Sequence, residues 1–125
     1  MIVGLGVDLC PVDRLERILE RHGKLFLDRV FTDKEQRYAD GAKNRGERYA
    51  ARFAVKEATI KALGAPAGLR WRDMEVTKKE DGAPRLVLHA SARSAAEKMG
   101  VTSAHVSISH AGNMAVAVVV LEGEM

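Results

Sequence analysis

The sequence has a single cysteine, Cys10, so it offers neither an intrachain disulfide nor a cysteine-rich zinc site, and a reducing compartment is favoured. Aromatic residues make up only 5% of the chain, too few for a single-strand nucleic-acid platform of stacked rings. The longest apolar run lies within residues 114–121, far short of the roughly 18 residues of a membrane span. Residues 1–6 have no basic region ahead of their apolar stretch and no cleavage-like site. No signal peptide is therefore expected, and a cytoplasmic location is. Charge of one sign is also scarce. Twenty Lys and Arg against seventeen Asp and Glu leave +3, a mild excess that suits a phosphate-bearing or acidic partner. No repeat, low-complexity tract or linker interrupts the 125 residues, and one domain over 1–125 is expected.

What is present reads as ordered elements. Residues 2–9 are apolar, β-branched and glycine-interrupted, and predict a strand that ends in Asp8 and Cys10-Pro11. Pro11 suits the first turn of a helix, in which Val12, Leu15, Ile18 and Leu19 recur at helical spacing to about His22. Gly23 stops that helix, and Lys24 to Phe31 predicts a second short one. Thr32 and Glu35 form a capping box for a helix to about Asp40. Residues 47–63 predict the longest helix, alanine-rich and closed by Gly64. Residues 74–77 and 85–88 alternate with period two around Glu80-Asp81-Gly82, as in a hairpin. Ser94 and Glu97 read as a second capping box, opening a helix that ends at Gly100. Residues 103–110 and 114–121 predict two strands joined around Ala111-Gly112-Asn113. The last strand is apolar on both faces, so it should be central or covered by a partner. This order points to an α+β fold, a mostly antiparallel sheet packed against one long and several short helices.

Three clusters can carry chemistry. Asp8 ends an apolar strand beside a helix start, where it can hold a cation or merely cap a turn. Phe53, Glu57 and Lys61 recur every four residues on one face of the long helix, with Lys56 alongside. Glu57 and Lys61 are either a surface i,i+4 pair or a carboxylate ligand flanked by phosphate-binding lysines. In the third cluster, His105, Ser107 and Ser109 point one way along a strand, while Val106, Ile108 and His110 point the other. That alternation weakens a two-histidine zinc reading, and no Gly-x-Ser-x-Gly elbow surrounds Ser107. These hydroxyls and imidazoles are either a polar sheet face or donors to a phosphate.

Together the clusters resemble the motif set of the 4′-phosphopantetheinyl transferases, in particular their short class, the holo-acyl-carrier-protein synthases. The family pattern is Gly-x-Asp near the N-terminus, then Lys-Glu-Ala-x-x-Lys on a helix, then Ser-x-Ser/Thr-His before an apolar strand. Here these are Gly6-Val7-Asp8, Lys56-Glu57-Ala58-Thr59-Ile60-Lys61 and Ser107-Ile108-Ser109-His110. The resemblance covers the chain from Met1 to about Glu122.

It implies transfer of the 4′-phosphopantetheine arm of coenzyme A to a serine of apo-acyl carrier protein, releasing adenosine 3′,5′-bisphosphate, in support of fatty acid biosynthesis. It implies Mg²⁺ held by Asp8 and Glu57, with Lys56 and Lys61 against the diphosphate. Glu57, or a water on the cation, would take the serine proton. Ser107, Ser109 and His110 would hold the nucleotide end, with Arg52 on its 3′-phosphate and the Gly64 N–H approaching the ligand. Larger members carry a second acid two residues after the aspartate. Cys10 stands there instead, so water and substrate phosphate would complete the cation's shell.

Short members assemble as trimers with sites between subunits. That implies Asp8 and Glu57 from one subunit and residues 107–110 from its neighbour. Arg14, Arg17 and Arg21 recur at helical spacing and form a basic stripe suited to an acidic carrier protein. Two other readings compete: a non-enzymatic coenzyme A or nucleotide-binding subunit, and a small basic nucleic-acid-binding module. A pI near 9.2 suits the latter, which does not account for two acids among phosphate donors.

Overall fold

The computed structural model describes residues 1–124. The chain runs β1 (Ile2–Pro11), α1 (Val12–Val30), α2 (Asp33–Asp40), α3 (Arg45–Ala62), β2 (Met74–Lys78), β3 (Pro84–Leu88), α4 (Ala90–Lys98), β4 (Val101–Ala111) and β5 (Met114–Gly123), with a 3-10 turn at Trp71–Asp73 ahead of β2. The α+β expectation holds, and every strand pairing is antiparallel. β5 is the centre of a three-stranded sheet ordered β1-β5-β4, as its two apolar faces require. The β2–β3 hairpin forms a separate two-stranded sheet.

The inner face of the main sheet is closed by α3. Ala115, Ala117, Val119 and Leu121 of β5 are fully buried there, as are Ala54 and Ala58 of α3. Small side chains let the helix approach closely, and β1 completes the fit with glycine. A Cβ on Gly6 would stand 1.9 Å from the Ala58 carbonyl oxygen, and one on Gly4 2.3 Å from that of Ala62. Glycine inside this strand thus marks close backbone approach.

The outer face is different. Leu5, Val7 and Leu9 of β1 stand beside Val120, Val118 and Val116 of β5. Leu5, Val7 and Leu9 remain 63%, 52% and 56% exposed, so an apolar sheet face is open to solvent in the single chain.

Helix α1 is kinked at Gly23, whose φ of 45° and ψ of −121° are non-helical, so the two short helices read from the sequence adjoin without a loop. The Thr32–Glu35 capping box is present, the Thr32 hydroxyl accepting from the Glu35 N–H and Glu35 Oε1 from the Thr32 N–H. The second expected box is not. α4 begins at Ala90, which leaves Ser94 exposed in mid-helix. The carboxylate of Asp73 takes the capping role, accepting from the Ser91 N–H at 3.0 Å and its hydroxyl at 2.6 Å. A partner 18 residues away outcompetes the local signal.

Five of the six aromatic residues join α1, α3 and the 3-10 turn in one chain of contacts. Phe53 stacks on Trp71 at 5.3 Å between centroids, Phe26 touches Phe53 at 5.8 Å and Phe31 at 6.1 Å, and Phe31 meets Tyr49 at 4.9 Å. The sixth, Tyr38, lies elsewhere, among cations.

Candidate active site

Period-two alternation along β1 places Asp8 on the inner face with Gly6 and Cys10, toward α3. Lys61, one turn beyond Glu57 on α3, reaches back to β1. Its Nζ lies 2.9 Å from Asp8 Oδ1 and donates to the Val7 carbonyl at 3.1 Å. The Asp8 side chain is 12% exposed and that of Lys61 58%, so the pair sits at the molecular boundary with its ammonium turned to solvent.

Glu57 adjoins Asp8. Burial first, and then the like charge of Asp8, raise the Glu57 carboxyl above its usual value, opposed by Arg14 and Lys61. Cys10 lies against the same group, its thiol pushed up to about 11 by burial and then by Glu57. Both influences bring Arg14 to the edge of this centre, while Arg14, Arg17 and Arg21 are all exposed.

This donor set suits a hard divalent cation. Two carboxylates that repel each other would be relieved by positive charge between them. Among the described residues no group of three His, Cys, Asp or Glu side chains gathers to form a closed cage. Mg²⁺ is commonly bound by one or two carboxylates plus water and substrate phosphate.

A second site lies between α2, α3, the β2–β3 hairpin and β4. It is a cleft of about 310 Å³ lined by Tyr38, Arg48, Arg52, Lys78, Ile108 and His110 among others. The Arg48 and Arg52 guanidinium carbons sit 4.1 and 3.9 Å from the Tyr38 ring centroid, and Lys78 Nζ 4.6 Å from it. Arg52 is only 5% exposed, and its Nε is buried without a hydrogen-bond partner. His110 Nε2 is 3.8 Å from Glu47 Oε1. The cleft therefore concentrates positive charge around a partly unsatisfied guanidinium, as an anion site requires.

The expected residues are distributed unevenly between these sites. Asp8, Glu57 and Lys61 come together, and so do Arg52 and His110. Ser107 and Ser109 do not join His110. They pair with Val118 and Val116 on the outer sheet face, because strand alternation sends His110 to the opposite side.

Lys56 requires a correction. It is fully buried, with Nζ 2.9 Å from Glu35 Oε1 and donating to the Trp71 and Met74 carbonyls, and it reaches no solvent-facing anion site. One residue turns a helix by about 100°, which sends Lys56 inward while Glu57 stays at the rim. Burial pushes the Lys56 ammonium below its ordinary value, and Glu35 opposes this. Gly64 also departs from expectation. It closes α3 with φ of 79°, but its N–H donates to the Lys61 carbonyl at 3.0 Å and is not free for a ligand.

The register Asp8–Ala117–Ile108 crosses all three strands, so the carboxylate pair and the cleft flank opposite edges of one sheet. Those edges are roughly 10 Å apart, two interstrand spacings. Tyr38, Arg48 and Lys78 were not marked by the sequence motifs. Arg48 and Arg52, four apart on the long helix, carried the one legible signal.

Residues 4–119 match the family model of the 4′-phosphopantetheinyl transferase superfamily. A holo-[acyl-carrier-protein] synthase of Anaeromyxobacter dehalogenans is 48% identical over 126 residues, covering 98% of each chain. One of Solibacter usitatus is also 48% identical, over 98% of this chain and 99% of its own. The crystal structure of a holo-(acyl-carrier-protein) synthase from Bacillus anthracis in complex with CoA (3′,5′-ADP) superposes with a TM-score of 0.81 at 36% identity, covering 99% of both chains. With a family match over residues 4–119 and relatives 48% identical across 98% of its length, the chain belongs to the 4′-phosphopantetheinyl transferase superfamily.

Proposed function

We propose that this phosphopantetheinyl transferase moves the 4′-phosphopantetheine group of coenzyme A to a serine hydroxyl of apo-acyl carrier protein, in the cytoplasm, in support of fatty acid biosynthesis. The observation that carries the reading is the centre formed by Asp8, Glu57 and Lys61, where an ammonium and two carboxylates from distant segments meet at an exposed rim. The serine oxygen attacks the pantetheine-side phosphorus, and the bond to the adenosine-side phosphate breaks. Adenosine 3′,5′-bisphosphate leaves, and the serine proton passes to a base.

Positioning and charge neutralisation dominate such phosphoryl transfers. Asp8 and Glu57 would hold Mg²⁺, which supplies positive charge to the diphosphate when bound. The exposed Lys61 ammonium would add its charge beside them. Glu57, or a water on the cation, would take the serine proton. The cleft at Arg52 and His110 would take the nucleotide end of coenzyme A, with Arg52 facing the 3′-phosphate.

The two sites do not share a lining residue within one chain. We therefore read the functional unit as a homotrimer, in which Asp8 and Glu57 of one subunit work with the cleft of its neighbour. The open apolar face of Leu5, Val7 and Leu9 supplies a surface for that contact. Ser107 and Ser109 lie on the same outer face, where they would reach a ligand held by a neighbour in such an assembly. The stripe Arg14, Arg17 and Arg21 would dock the acidic carrier.

The test is to incubate the protein with coenzyme A, Mg²⁺ and an apo-carrier protein and to weigh the carrier by mass spectrometry. A phosphopantetheine adduct that disappears with EDTA is expected. Intact carrier across several carriers, with coenzyme A still bound, would leave a binding subunit in place of an enzyme.

A further inference from the structure

Tyr38 stands apart from the Asp8, Glu57 and Lys61 centre, yet more charge gathers on it than on any other ring among the described residues. Arg48, Arg52 and Lys78 come from two different elements, and nothing in their own segments would bring three like charges together. Arg48 and Arg52 repel each other, and burial adds to the cost of charge at Arg52. The Tyr38 ring meets all three, with the two guanidiniums near 4 Å and the ammonium at 4.6 Å. Its face carries the negative end of the aromatic quadrupole, an uncharged partner that can hold cations without neutralising them. Arg48 is fixed further by donating through Nη1 to the Tyr38 carbonyl at 2.9 Å. The only carboxylate lining the cleft, Glu47, is directed at His110. The cations are thus held in place with no cleft carboxylate bonded to them, which is the state an arriving phosphate needs.

We infer that Tyr38 is a positioning residue whose ring assembles Arg48, Arg52 and Lys78 into a receptor for a phosphate monoester, and that it thereby sets the preference for the 3′-phosphorylated form of the nucleotide substrate. This rests on the cleft taking the nucleotide end of coenzyme A.

The experiment compares coenzyme A with 3′-dephospho-coenzyme A as substrates for the wild-type protein, Tyr38→Phe and Tyr38→Leu. Tyr38→Leu should raise KM for coenzyme A roughly thirtyfold, the size of one well-desolvated cation–π contact, with kcat unchanged. Its loss with 3′-dephospho-coenzyme A should be several-fold smaller than with coenzyme A, and circular dichroism verifies that the variant is folded. Tyr38→Phe keeps the ring and should keep the preference. If Tyr38→Leu does not fold, Tyr38→Met replaces it with the same expectation.

An unchanged KM for coenzyme A in the ring-less variant overturns the inference. So does an equal loss with both substrates, which makes Tyr38 merely structural, or a Tyr38→Phe loss as large as that of Tyr38→Leu, which assigns the role to the hydroxyl beside Lys78. If wild type itself does not distinguish the two substrates, the placement of the 3′-phosphate in the cleft fails, and the inference fails with it.

Discussion

Lys56 and Glu35 form an ion pair of 2.9 Å with neither side chain exposed. Glu35 also accepts from the Thr32 and Val76 N–H groups, and Lys56 donates to two carbonyls, so the pair ties α2, α3 and β2 together. Removing one partner strands the other charge. Lys56→Met should destabilise the protein by about 3–5 kcal/mol, read by denaturant titration. KM for coenzyme A in the surviving folded protein should stay near the wild-type value. A large KM rise with unchanged stability would restore Lys56 to the phosphate site.

Glu57 carries the opposite kind of strain. Its carboxyl is raised in the folded chain, so the folded state binds that proton more readily than the unfolded state. The stability this gives is present at low pH and is lost as pH rises through the folded value. Near neutral pH, Glu57→Gln should therefore raise Tm of the metal-free protein by roughly 1–3 °C, a small effect because solvent screens a partly exposed group. The gain should vanish in acid, and turnover should be lost at every pH. Calorimetry in EDTA across pH measures it, and a lower Tm at neutral pH would contradict the repulsion.

Subunit complementation checks the shared site. Asp8→Ala and His110→Ala chains, each inactive alone, should regain activity when co-refolded. Random assembly leaves about a quarter of the sites with both halves intact, which sets the expected recovery relative to wild type. No recovery from mixtures that still assemble would place both halves in one chain.

Charge reversal on α1 separates docking from chemistry. Arg14→Glu and Arg21→Glu should each raise KM for the carrier roughly tenfold and flatten its salt dependence. Arg14 also touches the electrostatics of Glu57, so only its reversal should alter the Mg²⁺ requirement. Steady-state kinetics at two ionic strengths distinguishes the cases. An unchanged carrier KM for Arg21→Glu would remove that residue from the surface.

The parts of this molecule that rest on neighbours in sequence were legible. Alternation gave the strands, Thr32 and Glu35 their capping box, and the two-sided apolar character of β5 its central place. The Asp8, Glu57 and Lys61 centre was legible because a motif held its members. Long-range pairing hid the rest. Glu35 looked fully used as a cap, and nothing local reveals that its second oxygen meets Val76 while the first meets Lys56. Ser94 lost its role to Asp73, and Tyr38 gained one from a helix and a hairpin that meet only in the fold. Gly64 was placed correctly as a helix terminator, and that same role consumes the N–H expected to be free.

The contact of Gly4 and Gly6 with the α3 carbonyls has a mechanical consequence. The approach of β1 to the helix that carries Glu57 is set by main chain bearing on main chain, with no side chain interposed at Gly4 and Gly6. Side-chain repacking elsewhere in the core can relax without altering that gap. A single methyl at Gly6 cannot be absorbed, and would act as a wedge that opens the carboxylate pair from behind.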